Sequence, residues 1–218
     1  MHSAKKSRRV DGVATREQLM ITAERLFARR GYAGVSLAEI GAAAGQSNKM
    51  VVPYYFGSKD GLIDAIFERR IEWLEERRKQ GIDAATLEGE LDLRTALDLL
   101  YRPIAEIELD GERVYARFLL QFLLQFDSWE GKQHPIERGL ASGATRHIIQ
   151  TIDGHLPNLP PHHFANRCAF FFLGAVVDWE NQRAAGRCVE DISQVIDQSL
   201  DFIITGLIGM NAHAGVLQ

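Results

Sequence analysis

The chain has 218 residues, 46% of them hydrophobic, and a formal net charge of −4. That much apolar material supports one large or two modest cores and excludes a disordered chain. No run of about 18 apolar residues occurs, which excludes a membrane-spanning helix, and the basic opening MHSAKKSRRV leads into no apolar stretch, so no secretory signal is expected.

The charge is unevenly spread. Residues 1–80 carry 15 Lys+Arg against 10 Asp+Glu, while residues 81–218 carry 10 against 19. A basic first part can meet phosphates, and an acidic remainder faces solvent or partners. Cys168 and Cys188 lack CxxC spacing and read as small hydrophobes in a reducing compartment. A cytoplasmic protein is expected.

Taken in chain order, residues 1–14 read as a flexible basic arm carrying Lys5, Lys6, Arg8 and Arg9. Thr15, with Gln18 in the capping-box position, predicts a helix start and a helix over 16–30. Leu19, Ala23, Leu26 and Phe27 share one face of it. Gly31 closes it after Arg29 and Arg30, two cations suited to its negative end. Ser36 with Glu39 forms a second capping box, opening a helix over about 37–44. A turn at Ala44-Gly45-Gln46 follows, then a short helix opening near Ser47. Ser58 caps a third, long helix over 59–80, with its Glu/Arg pairs placed on the outer side. Gly81 marks a composition shift. Beyond it helices are expected at about 92–108, 112–127, 134–153, 161–184 and 189–209. The expected fold is therefore all-α: a three-helix helix-turn-helix domain over 15–80, then a helical bundle over 81–218.

Two short helices joined by a glycine-containing turn form a helix-turn-helix, whose second helix enters the DNA major groove. Leu37, Ile40 and Ala44 give the first of the pair an apolar face to set on Leu26 and Phe27. The second would present Asn48 and Lys49 outward, residue types that hydrogen-bond adenine and guanine edges. Val52 and Phe56 should turn inward. Tyr54, Tyr55 and Lys59, at the far end, can reach backbone phosphate, and so can Arg8 and Arg9 on the arm. Pro53 cannot donate to the carbonyl of Lys49 and disfavours helical geometry at Val52, so the helix is expected to kink or end there.

Residues 15–62 resemble the DNA-binding domain of the TetR (tetracycline repressor) family of bacterial transcription regulators. The resemblance rests on Phe27, Gly31-Tyr32, Ser36-Leu37-x-x-Ile40, Ala44-Gly45, and Tyr54-Tyr55-Phe56-x-Ser58-Lys59-x-x-Leu62. One extra residue between Ala44-Gly45 and Tyr54 resembles a subgroup with AGQxNxxxVxYHFGS. The resemblance implies a dimeric all-helical regulator with a C-terminal effector domain. It also implies DNA-contact roles for Ser36, Ser47, Asn48, Lys49, Tyr55 and Lys59.

In the acidic part, one late helix carries Phe164, Cys168, Phe171, Phe172, Ala175, Val176 and Trp179, and the last carries Ile192, Ile196, Leu200, Ile203 and Leu207. Both stripes are wider than one packing face needs. A homodimer is expected, joined through Phe164, Phe171, Phe172, Ile192, Ile196, Leu200, Ile203 and Leu207. Two-fold symmetry then predicts a pseudo-palindromic double-stranded operator. A small-molecule effector is expected among Tyr101, Arg117, Phe118, Phe122, Phe126, His147, Asp178 and Trp179, where polar groups fall amid apolar neighbours. Pro103 should bend its helix and open space beside it. The histidines, including His162-His163, show no metal-ligand spacing, so neither metal nor cofactor is expected.

The function expected is a DNA-binding transcription regulator, a repressor relieved by a small ligand. Two other classes compete. An enzyme is disfavoured because no GxSxG, P-loop, GxGxxG or HExxH motif occurs. A helical ligand-binding or scaffolding dimer without DNA binding is the alternative.

Overall fold

The structure is a computed structural model that describes residues 2–109, 111–124, 135–161, 165–187 and 189–216. The described residues form ten helices: α1 (His2–Arg30), α2 (Leu37–Ala43), α3 (Val51–Phe56), α4 (Lys59–Glu88), α5 (Leu93–Glu106), α6 (Val114–Leu124), α7 (Pro135–Leu140), α8 (Gly143–His155), α9 (Ala165–Ala184) and α10 (Ile192–Val216). Among the described residues one β-bridge, Leu109 to Glu112, ties the α5–α6 connection.

The head consists of α1, α2, α3 and the start of α4. At seven and six residues, α2 and α3 are too short to persist alone in water. Their stability comes from burial and caps. Phe27, Ile40, Val52, Leu62, Ile63 and Ile66 are almost fully removed from solvent in one shared core. The Ser36 hydroxyl accepts from the Glu39 amide, and the Glu39 carboxylate accepts from the Ser36 amide at 2.8 Å. Ser58 caps α4 by accepting from the Gly61 amide at 3.0 Å. Gly57 turns the chain between α3 and α4 with φ 74°, a region costly for residues with a Cβ.

Helix α1 departs from expectation. It begins at His2 rather than at Thr15, so residues 2–14 are helical and not an extended arm. No proline interrupts them, and Lys, Arg and Ala are good helix formers, so the helix propagates back from the packed segment. Gln18 donates to the Thr22 hydroxyl (3.4 Å) instead of completing a capping box.

Helix α4 also runs further than composition suggests, to Glu88. Gly81 does not end it. A Cβ at that position would collide with the Leu99 side chain, so the glycine lets α5 pack close against α4. The expected boundary at 80–81 therefore falls inside a continuous helix. The expected helix over 134–153 is two helices, α7 and α8, separated at Ala141-Ser142. The first amides of α8 find an anion from outside their own helix. Glu75 on α4 accepts from Ala144 (2.7 Å) and Thr145 (3.1 Å).

The body packs α5, α8, α9 and α10 around α4 and α6. Two arginines of α4, eight residues apart, turn inward rather than out. Arg70 grips buried Glu24 of α1 with Nε and Nη2, at 2.7–3.2 Å. Burial raises the Glu24 carboxyl pKa, and the Arg70 charge opposes that rise. Arg78, the second, is described with the site below.

The late helices differ from the expected interface. Phe172, Ile196, Leu200, Ile203 and Leu207 are buried within the protomer itself. They pack α9 on α10 and both on the body, because a helix on the rim of a bundle already has two neighbours there. Ile192 is half-buried, and Phe164 lies outside the described residues. Among the described residues of that set only Phe171 remains exposed. It stacks on exposed Phe202 at 4.5 Å between ring centroids, with Ile208 and Met210 further along α10.

Candidate DNA-reading surface and effector cavity

Helix α3 is the shortest in the head, and its position follows from what surrounds it. Val51 and Val52 are buried against α2 and α4, so the opposite side of α3 faces outward. The helix begins at Val51, not near Ser47. Ser47, Asn48 and Lys49 lie exposed in the turn before it. Asn48 holds this turn: its side-chain oxygen accepts from the Met50 amide (2.9 Å), and its carbonyl accepts from Val51 (3.1 Å). An Asn engaged in this way has one of its two oxygen lone pairs occupied, and its amide N–H groups stay available for DNA.

Pro53 is the third residue of α3, which explains why it neither kinks nor ends the helix. Its missing N–H would have bonded the carbonyl of Lys49, which precedes the helix. The first helical amide bond runs instead from Tyr54 to Met50, at 2.9 Å. A proline in a first turn loses nothing that the helix needs.

The other expected contact residues divide. Tyr54 is 80% exposed and Met50 63% exposed, one turn apart on the outer side. Tyr55 is half-buried. A Cβ on Gly12 of α1 would stand 3.5 Å from its hydroxyl, so it packs across α1 rather than outward. Lys59 is folded back. Its ammonium donates to the Tyr32 carbonyl and sits 4.2 Å above the Tyr32 ring. Partial burial lowers its pKa although Asp60 and Glu39 oppose this. Ser36 is engaged in its capping box. Its bonds to Glu39, with Arg30 nearby, hold the Glu39 carboxyl down at about 2. Arg8 and Arg9 lie on α1, and their side chains fall outside the described part of the structure. The sequence reading missed Met50, whose exposure is invisible until the start of α3 is known.

The head is joined to the body through aromatic edges and ion pairs. Phe122 of α6 meets Phe27 and Tyr32 edge-on, each at 6.5 Å. Arg29 at the end of α1 grips Glu112 at 3.0 Å. On another side of α6, Tyr115, Leu119 and Leu123 line a cavity of about 90 Å³. Phe67, Ile71 and Leu74 of α4, Tyr101 of α5 and Ile136 of α7 complete most of its apolar wall. Arg78 and Thr145 supply polar atoms.

Most residues expected in an effector pocket lie elsewhere. Tyr101 lines the cavity. Phe118 and Phe122 are core, in contact with Phe67 at 5.2 and 5.4 Å. Arg117 bonds Asn181 (2.7 Å) in a separate polar cleft with Arg29, Glu112 and Arg183. His147 and Asp178 are exposed, and Asp178 accepts from Gln182 (2.6 Å). Trp179 donates to the Glu190 carbonyl (2.8 Å), pinning α9 to the segment before α10. Phe126 lies outside the described residues, as do His162, His163 and Cys188. Cys168 is half-buried, and burial pushes its thiol up to about 11. Among the described residues no group of three His, Cys, Asp or Glu could hold a metal, and no helix is long and apolar enough to cross a membrane.

A thin helix-turn-helix on a core-anchored head, carried by a larger all-helical body, defines a DNA-binding transcription regulator. Residues 19–66 match the family described as bacterial regulatory proteins, tetR family. Similar solved structures include a TetR-family transcriptional regulator from Pectobacterium atrosepticum (21% identity, TM-score 0.44, covering 92% of this chain and 96% of that one). Another is a TetR transcriptional regulator from Chloroflexus aurantiacus J-10-fl (21% identity, TM-score 0.47, covering 89% and 94%). A third comes from work on the molecular basis for control of antibiotic production by bacterial hormones (18% identity, TM-score 0.49, covering 88% and 97%).

Proposed function

We propose that the chain is a cytoplasmic homodimeric repressor that binds a pseudo-palindromic DNA operator and is released by a small molecule. The observation that carries this reading is the outer side of α3. Two large side chains, Met50 at the N-cap and Tyr54 within the helix, stand in solvent, while Val51 and Val52 on the other side are buried. Exposed large apolar groups on a small head call for a partner surface. The major groove offers one, since thymine methyl groups accept apolar contact and a Tyr hydroxyl can hydrogen-bond a base edge or phosphate. Ser47 and Lys49 beside them suit phosphate.

Dimerisation is assigned to the outer faces of α9 and α10. Phe171 and Phe202 form its centre, flanked by Ile208 and Met210. Gly174, Gly206 and Gly209 have no neighbour within 4 Å of a Cβ, which leaves room for a second helix pair to approach closely. Release would run through α6. Its one side lines the cavity and Phe122 touches the head, so a ligand that favours one position of α6 favours one spacing of the two heads. Only differential affinity for the two arrangements can achieve this.

A gel shift against DNA flanking the chain's own gene tests the reading. Saturable binding that weakens steeply with salt, about 0.9 in log–log slope per phosphate contact, supports it. Binding with no preference over random duplex would contradict it and favour the scaffolding alternative.

A further inference from the structure

Arg78 is an unusual residue to find in an apolar cavity wall. It is 5% exposed. Its immediate environment follows from Pro103 in the middle of α5. Proline has no N–H for the carbonyl four residues earlier, so Leu99 loses its helical partner. Arg78 replaces it: Nε donates to the Leu99 carbonyl (3.4 Å) and Nη2 to the Leu100 carbonyl (2.6 Å). Nη1 donates to the Thr145 hydroxyl (2.8 Å). Three of the five guanidinium N–H groups are thereby used, leaving one on each terminal nitrogen.

The charge is less well served than the hydrogen bonds. Among the described residues no ion pair joins Arg78 to a carboxylate; the Glu75 charge supports it from beyond the Thr145 hydroxyl, which accepts from Arg78 and donates to Glu75. Glu75 is itself held by Ser142, Ala144 and Thr145. Desolvation accordingly pulls the Arg78 pKa down to about 10. A buried cation beside apolar space, with no direct counter-ion, favours an anion there.

We infer that the cavity bounded by α4, α5, α6, α7, α8 and α9 takes a small carboxylate with an apolar tail, its carboxyl group on Arg78 and its tail among Phe67, Leu74 and Leu119. This rests on the reading of the cavity as the effector site and adds the chemical class of the effector. The size sets the scale. A 90 Å³ space corresponds to roughly three water-sized groups at about 30 Å³ each. A short-chain acid fits, and longer tails require the apolar side chains to part. A carboxylate would also satisfy the free N–H groups bidentately, which a hydroxyl cannot.

Titration calorimetry on the full chain tests this with straight-chain carboxylates from propionate to octanoate, each beside its matching primary alcohol. At least one acid should bind ten or more times tighter than its alcohol. Alcohols binding as well as acids, or no acid in the series binding, would overturn the inference. Arg78→Gln should abolish the preference for the acid, and a preserved preference overturns it. Since that variant orphans the Leu99 carbonyl and can fail to fold, Ala169→Leu serves as a second probe. It fills the cavity from the α9 side without touching Arg78. A tenfold or larger loss of acid affinity is expected, and unchanged affinity places the acid elsewhere and overturns the assignment. Operator binding without any acid is measured separately. Its presence with no acid response refutes only the carboxylate, and its absence refutes only the DNA reading.

Discussion

The head and the body use polar side chains in opposite ways. In the head they work at the surface as caps: Ser36, Glu39 and Asn48 hold backbone groups at the ends of the short helices α2 and α3, and Ser58 opens α4. In the body, and along the inner side of α4, charged groups are buried and bind distant parts of the chain together. Arg70 reaches Glu24 across 46 residues, and Arg78 reaches Thr145 across 67. Short helices need local closure because they cannot nucleate alone. Long helices form readily and can carry a buried charge, provided its hydrogen bonds are met.

The contrast implies a ranking of mutational effects. Removing one partner of the buried pair should be the largest. Glu24→Ala leaves the Arg70 charge inside, and a loss of about 3–5 kcal/mol is expected in urea unfolding. The double change Glu24→Leu with Arg70→Met should recover most of it. If the single change costs no more than a surface ion pair, head and body are less tightly joined through this pair than the geometry indicates.

Next comes the outer face of the body. Phe202→Glu places a charge at the centre of the assigned dimer face. Sedimentation should show monomers, with a loss of about 2 kcal/mol or more expected from truncating a central aromatic anchor. A stable dimer would move the interface elsewhere.

The smallest effect belongs to the head. Ser36→Ala should cost about 1 kcal/mol as a lost N-cap. It should also let the Glu39 carboxyl return toward its ordinary range, because Ser36 is the main cause of its depression. The sign is fixed by that lowered folded pKa. The stabilisation is present above the unfolded carboxyl pKa and is lost as pH falls toward about 2. An NMR titration of Glu39 in both proteins reads it directly, and an identical midpoint would remove Ser36 as the cause.

The same contrast explains what the sequence could show. The Ser36–Glu39 capping box, the Ser58 cap, Gly31 and the apolar spacing of the head are local signals, and the all-α class and helix-turn-helix follow from them. The start of α3 was misplaced because Asn48 caps a turn that itself looks helical in sequence. Pro53 then appeared as a helix breaker when it occupies a first turn. In the body the signals are non-local. Nothing near Arg78 in sequence reveals that Pro103, on another helix, leaves the Leu99 carbonyl for it to fill. Likewise, the stripe Ile196, Leu200, Ile203 and Leu207 looks the same whether it packs on the chain's own core or on a second copy. Gly81 suggests a boundary only until Leu99 is seen against it.

The central claim is that the exposed side of α3 reads DNA sequence. Selection of binding sites from a random duplex pool, run in parallel with the unaltered full chain and with Tyr54→Ala, tests it most directly. The unaltered chain should enrich a pseudo-palindrome. The Tyr54→Ala protein, equally stable because that side chain is 80% exposed, should lose preference at the base it contacts, a discrimination of about 1–3 kcal/mol. No enrichment from the unaltered chain, or the same consensus from both proteins, would contradict the account.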